Sequence, residues 1–259
     1  MNRLNYSVFI VAACFLLFAT PQINAQEMDN LSQYAEDQLD NAVEPVIKLF
    51  GNLAGGGFVN TADLHGLAGF EVGVRGNITL VPDKYKDFGP LKGVDVVGLP
   101  LLQASVGLPG NLELTGRFFS MAVSDETDGN VTLVGALVKY GLFQQPLLPK
   151  ISVVAGYHAL ITPDKYDFGT FNVISLKGYV SHNFLIFTLY GGGGIDRASS
   201  TIKFTEVNTQ TDFEKSYAQT GANGSVGLTI SPIPFFKANA DYSFGSFNRV
   251  SLGLSFSFR

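Results

Sequence analysis

The amino-acid sequence predicts an all-β fold, an antiparallel transmembrane β-barrel of about ten strands, bounded at roughly eight and twelve, with an N-terminal amphipathic helix. Three observations carry this. The last residues, Val250-Ser251-Leu252-Gly253-Leu254-Ser255-Phe256-Ser257-Phe258-Arg259, are large and apolar at every even position and small or polar at the odd positions up to the terminal arginine. Successive side chains of a strand point to opposite faces, so this strand has one apolar and one polar face. From about residue 67 onward apolar residues recur every second position, whereas upstream they recur every third or fourth. The links between the strands are mostly long on one side and short on the other, as in outer-membrane barrels.

Residues 1–25 read as a secretory signal, with Arg3, an apolar run from Val8 to Ala19, and Ile23-Asn24-Ala25 before Gln26. That run is too short to cross a bilayer as a helix. Val11-Ala12-Ala13-Cys14 also fits a lipoprotein signal, but Phe15 to Ala19 stay apolar where a tethered lipoprotein turns polar. Residues 26–57 form an amphipathic helix and a Gly-rich linker, and residues 58–259 the barrel. In the helix, expected over 27–50, Leu31, Ala35, Leu39, Val43 and Val46 share one face, and Glu36, Asp37, Asp40 and Glu44 the other. Pro45 kinks or splits it, and Gly51 and Gly55-Gly56-Gly57 end it. Because the lumen wall reads as polar, the helix is expected at the periplasmic mouth, against Pro146, Leu147, Leu148, Ile233 and Pro234. A lumen plug and a partner-binding arm are the alternatives.

The strands follow in order. Strand one (67–81) sets Phe70, Val72 and Val74 against Glu71, Arg75 and Asn77. Strand two (94–108) is less regular and contains Pro100. Strand three (111–123) sets Leu114 and Phe118 against Glu113 and Arg117. Strand four (130–142) is apolar on both faces, so its facing is open. Strand five (150–162) sets Tyr157 against His158, and strand six (172–182) sets Leu176 against Lys177. Strand seven (184–195) carries Gly191 to Gly194, strand eight spans 216–230, and residues 198–207 are able to extend both into a protruding hairpin. Strand nine (235–244) sets Tyr242 against Lys237 and Asp241, and strand ten is the C-terminal one. An even strand count places both termini at the periplasmic side. Pro82-Asp83-Lys84-Tyr85-Lys86-Asp87-Phe88-Gly89 is echoed by Pro163-Asp164-Lys165-Tyr166-Asp167-Phe168-Gly169. Both copies fall in long loops, which makes Tyr85, Phe88, Tyr166 and Phe168 candidates for contacts over the mouth; convergent turn chemistry is the plainer explanation.

Composition narrows the function. The one cysteine is Cys14, so a mature chain has no disulfide or thiolate site. Seventeen basic residues stand against 22 acidic ones, which excludes nucleic acid as a partner. Three scattered histidines, His65, His158 and His182, provide neither a metal set nor a catalytic cluster near one rim. No catalytic residue, metal or cofactor is therefore expected, and the chain is read as a non-enzyme. The inward charges Glu71, Arg75, Glu113, Arg117, Lys177, Lys237, Asp241 and Arg249, with His158, are the candidates for a lumen lining. Glu71 and Arg75, like Glu113 and Arg117, lie four residues apart on one face, about 13 Å along a strand, so their partners come from other strands.

The organisation from the leading segment through Gly57-Phe58-Val59-Asn60-Thr61-Ala62 to Phe258 resembles uncharacterised outer-membrane barrel families of Bacteroidota-type bacteria. A looser resemblance is to long-chain fatty-acid transporters, which also carry an N-terminal plug. Asn60-Thr61-Ala62 only approximates their Asn-Pro-Ala signature, and this chain is too short for their strand number. These features imply an outer-membrane location, with membrane lipid and a small-molecule solute as partners. The leading reading is passage or binding of a small solute through a narrow polar lumen. The rivals are a structural or surface-interaction barrel with a filled lumen, and a soluble periplasmic β-protein binding an apolar ligand. No residue pattern specifies an oligomeric state.

Overall fold

The computed structural model describes residues 36–86, 89–124, 127–161, 170–205 and 212–258. The segment read as a signal, the first turns of the expected helix, and Phe88, Tyr166 and Phe168 lie outside the described residues.

Among the described residues one helix, α1 (Glu36–Ala54), precedes ten strands. They are β1 (Phe70–Leu80), β2 (Val96–Leu108), β3 (Leu112–Ser124), β4 (Thr127–Phe143), β5 (Lys150–Ile161), β6 (Thr170–Phe184), β7 (Phe187–Thr205), β8 (Asp212–Ile233), β9 (Phe236–Gly245) and β10 (Asn248–Phe258). Each pairs antiparallel with its sequence neighbours, and β1 closes on β10 from Phe70↔Phe258 to Leu80↔Asn248. Closure leaves no sheet edge for the bilayer to meet. Short connections at 109–111, 144–149, 185–186 and 234–235 define a turn end, which also holds Phe258; the opposite end is the loop end. Pro100 is accommodated in β2 opposite Gly76.

The outer face is apolar on every strand. Val72, Leu102, Leu176, Leu189 and Val226 are exposed, while the alternate positions are buried. Aromatic pairs gather at the turn end, where Phe70 and Phe235 both stack on Phe258, and Phe184 stacks on Phe187. A closed barrel with an apolar belt and an aromatic rim spans a membrane.

Strands β7 and β8 run past their neighbours. The last β6 partner on β7 is Thr201, and β9 pairs with β8 only from Asn223 onward. Residues 212–222 of β8 therefore pair with β7 alone, which places the protruding hairpin at the loop end. Asp196, expected in a loop, sits inside β7, and His182, expected in a tight turn, sits in β6.

The position of α1 overturns the expectation of a cap at the turn-end mouth. The helix does not rest on the turn-end residues: Leu147, Leu148 and Ile233 are exposed. It lies inside the loop-end half of the lumen, against β7, β8, β1 and the short 3-10 turn Gly89–Leu91. Within the described residues its N-terminal part points to the loop end, opposite Phe258. The reason is that the lumen wall is not uniformly polar. Inward positions in the loop-end halves of β2, β4 and β6 are Val97, Leu99, Leu101, Leu133, Phe171 and Val173, and they bury Val43, Ile47 and Leu53 of α1. Strand four reads as apolar on both faces because one face meets lipid and the other meets this helix. A helix with side chains is about 10–12 Å across, which the interior of an eight-stranded barrel, just filled by its own side chains, does not admit.

The belt gives the first prediction. Val180→Arg places a charge in mid-belt, opposite Gly191, and should cost about 2–4 kcal/mol of stability in phospholipid vesicles. Thr220→Arg, on the exposed hairpin, should cost no more than about 1 kcal/mol. Equal losses in denaturant unfolding from vesicles would show that Val180 does not face lipid.

Candidate functional site

Residues 43–65 thread the lumen from the loop end to the turn end, and the inward side chains of the wall hold the backbone at each level. Six consecutive carbonyls, Asn52 to Gly57, accept hydrogen bonds from the wall. Arg249 Nη1 donates to Asn52 O, Asn77 Nδ2 to Leu53 O at 2.7 Å, and Arg117 Nη1 to Ala54 O at 3.0 Å. Lys177 Nζ donates to Gly55 O at 2.7 Å, and Arg117 Nη2 to Gly56 O at 2.7 Å and Gly57 O at 2.6 Å. Asn52, Leu53 and Ala54 lie in the last turn of α1, where a helix leaves carbonyls without the usual partner four residues on, and Gly55 to Gly57 continue the run past its end. The helix has no basic residue in its own last turn, so the cations come from β3, β6 and β10.

The triglycine follows from this grip. A Cβ on Gly55 would strike the Asp196 carboxylate, and one on Gly56 the Arg249 guanidinium. Gly57 has φ +57°, the left-handed region that a glycine adopts without strain. Below it, Phe58 lies among cations: Arg117 Cζ is 5.0 Å and Lys177 Nζ 4.9 Å from its ring centroid, within cation–π range. His158 stacks on the same ring at 5.7 Å.

The turn-end half of the lumen is polar. Glu71 accepts from Lys237 at 2.8 Å and from Asn60 at 2.7 Å. Glu113 pairs with Lys139 at 2.8 Å, and Lys139 also donates to Asp63 O at 2.9 Å. Lys177 pairs with Asp196 at 2.9 Å. Asp241 accepts from Tyr190 OH at 3.2 Å. Thr229 Oγ1 donates to Asn60 O, and Ser181 meets both Thr61 and the Ala62 amide. Arg75 is buried near Gly57, and its Nη1 has no partner among the described residues.

All nine lumen candidates thus face inward, and eight of them make a hydrogen bond or ion pair, most to the plug or to each other. Tyr85 is at the loop end, stacked on Phe247 of the β9–β10 turn at 5.4 Å. Sequence reasoning missed Asp196, because strand seven is read as ending at 195 whereas β7 runs on to Thr205, and Lys139, because strand four gives no facing. It also missed the plug residues Phe58 and Asn60, which lie outside any strand period.

The structure brings together one cluster that the scattered histidines did not foretell. His65 Nδ1 is 2.8 Å from Glu113 Oε2, and its Nε2 is 3.1 Å from Ser257 Oγ and 3.5 Å from Glu71 Oε2. A Ser–His–carboxylate order is the frame of acyl-transfer sites. Here the ring stands between two carboxylates. Burial lowers its affinity for a proton, but Glu113 and Glu71 outweigh that and hold His65 above its ordinary 6.5. The cluster is a pin that fastens the plug to β1, β3 and β10.

A pH prediction follows. The folded-state value of His65 is raised, so its contribution is fully present below about pH 6.5 and is lost as pH rises through the folded value. The thermal midpoint in detergent should fall from about pH 6 to about pH 9, and His65→Gln should flatten that slope. Parallel slopes for both proteins would remove His65 from the account.

Solved structures with similar backbones include the N-terminal β-barrel domain of OprF from Pseudomonas aeruginosa, with TM-score 0.33 and 16% identity, covering 75% of this chain and 100% of that one. The translocator domain of autotransporter NalP from Neisseria meningitidis matches with TM-score 0.39 and 10% identity, over 87% of this chain and 100% of that one. The Ralstonia pickettii toluene transporter TbuX matches with TM-score 0.32 and 9% identity, over 77% and 92%. At these scores the functional argument rests on this chain's own geometry. No curated protein matches the sequence. A family match over residues 1–92 and 89–258 covers nearly the whole chain, which therefore belongs to the family of unknown function DUF6588.

Proposed function

We propose that the protein is an outer-membrane barrel closed by its own N-terminal segment, a structural or surface-interaction barrel whose loop end is the working face. The observation that supports this best is the run of six bonded carbonyls, Asn52 to Gly57, across the middle of the lumen. Apolar packing above that level and the His65 pin below it narrow the path further, and a cavity of about 530 Å³ lined by Asn60, Thr61, Thr229, Lys237 and Ser257 opens at the turn end. The outer-membrane location is supported by the apolar belt, the leading segment, and loops that are mostly long at one end and turns that are short at the other. Passage of a small solute, the leading reading of the sequence, requires the plug to leave. On that route the solute meets Arg75, Arg117, Lys177 and Arg249 against Asp196 and Asp241.

Conductance in planar bilayers tests this. The full chain should give no sustained current. Deletion of residues 36–66 should give open steps that prefer anions, because four cations then face two carboxylates at mid-lumen. A steady open channel from the full chain would overturn the closed reading in favour of transport.

A further inference from the structure

We propose that the apolar turns at the turn end are seated in the phospholipid leaflet, as a second lipid-contacting surface below the strand belt. This rests on the membrane reading of the barrel and goes beyond it, since it concerns residues outside the strands.

Three neighbouring turns each hold a bulky apolar residue in the left-handed region: Leu147 at φ 64°, Leu185 at φ 42° and Phe235 at φ 73°. Such a conformation is uncommon for large side chains, and short hairpin turns ordinarily place Asn, Asp or Gly there. The turn between β2 and β3 does so, with Gly110 and Asn111. The other three accept backbone strain in order to present an apolar side chain. Leu147 and Leu185 are 95% and 108% exposed, and Ile186 beside Leu185 is exposed as well. Water at these tips would make both the strain and the exposure unfavourable.

Lipid is the occupant that the surroundings indicate. Phe235 stacks on Phe258 at 5.4 Å and lies 6.0 Å from Phe256, two outward residues of β10, so the tip is continuous with the apolar belt. Leu185 and Ile186 form the tip between the stacked outward pair Phe184 and Phe187. Belt height points the same way. On β7 the outward residues are apolar or glycine from Phe187 to Ile195 and then give way to exposed Arg197. Eight residue steps on a strand tilted by about 40° span about 20 Å. The belt of an outer-membrane barrel is about 25 Å tall. Leu185 and Ile186 supply the missing height on this side.

The chain contains no tryptophan, so a single inserted one reports without background. Leu185→Trp, Ile186→Trp and Phe235→Trp are made in the full chain, with Leu228→Trp as a mid-belt reference and Thr220→Trp as a loop-end reference. Each is folded into phosphatidylcholine vesicles, with and without bromine on the acyl chains near the headgroups. The three turn reporters should emit blue-shifted, lose at least half as much intensity to bromine as Trp at 228, and resist aqueous acrylamide. Quenching at 228 with red-shifted, acrylamide-sensitive emission at all three turns would overturn the proposal and leave the tips for a soluble partner. Absence of bromine quenching at 228 as well would overturn the membrane reading along with it.

Discussion

The structure depends on one buried interaction, the carbonyl end of α1 against the guanidinium and ammonium groups of the wall. A helix C-terminus carries unsatisfied carbonyls and a partial negative charge. Enclosed in a barrel, those carbonyls must find donors in the protein. Arg117 serves three of them and Lys177 and Arg249 one each, while Asn77 takes the sixth, Leu53 O. The planar guanidinium suits this because its donors fan out in fixed directions. The cations gain equally. Arg117 makes no ion pair among the described residues, and a buried charge without partners is costly. Barrel and plug each supply what the other lacks.

That interaction orients everything around it. With its carbonyl end at mid-lumen, α1 must run outward to the loop end, and its stripe of Val43, Ile47 and Leu53 needs an apolar lining there. The lumen is accordingly divided. Its loop-end half is lined by aliphatic residues of β2, β4 and β6, and its turn-end half by the charges that receive residues 58–65. The long β7–β8 hairpin extends the wall along the helix where β9 stops. Three glycines are needed where the chain leaves the helix, because Asp196 and Arg249 press on Gly55 and Gly56 and Gly57 takes a left-handed φ of +57°.

Most of the barrel was legible because a strand with one lipid face writes a period of two. Strand number, the inward set from Glu71 to Arg249 and the lipid face of β10 follow from that alternation. What the plug does was not legible, because its partners are brought in from β3, β6 and β10, far apart in sequence. The clue lay in the irregular strands. Leu133 and Leu137 of β4 face inward and are apolar, so the alternation vanished where the wall meets α1 and Phe58. A polar lumen was inferred from the strands that alternate cleanly, and the ones that do not were the informative ones. His65 and Ser257 stand near opposite ends of the sequence, and only closure of β1 on β10 brings them together.

The two classes of contact that hold the plug respond differently to its removal, and the difference bears on gating. If the plug left, water would enter and replace the wall-to-carbonyl bonds, for a net loss of about 0.5–1.5 kcal/mol each. Nothing would replace the apolar contacts. Val43, Ile47, Leu49 and Leu53 are buried, and each loses about 1.5–3 kcal/mol on exposure. The aliphatic wall of β2, β4 and β6 would be wetted at the same time. Both losses have the same sign, so the closed state is held by the apolar half and given its register by the polar half. The seam adds a kinetic constraint. Asn77 and Glu71 of β1 and Arg249 and Ser257 of β10 all bond the plug or its anchors, so the strands that close the barrel close around it. A segment enclosed by the closing seam is part of the folded core, in contrast to a gate that enters a finished pore.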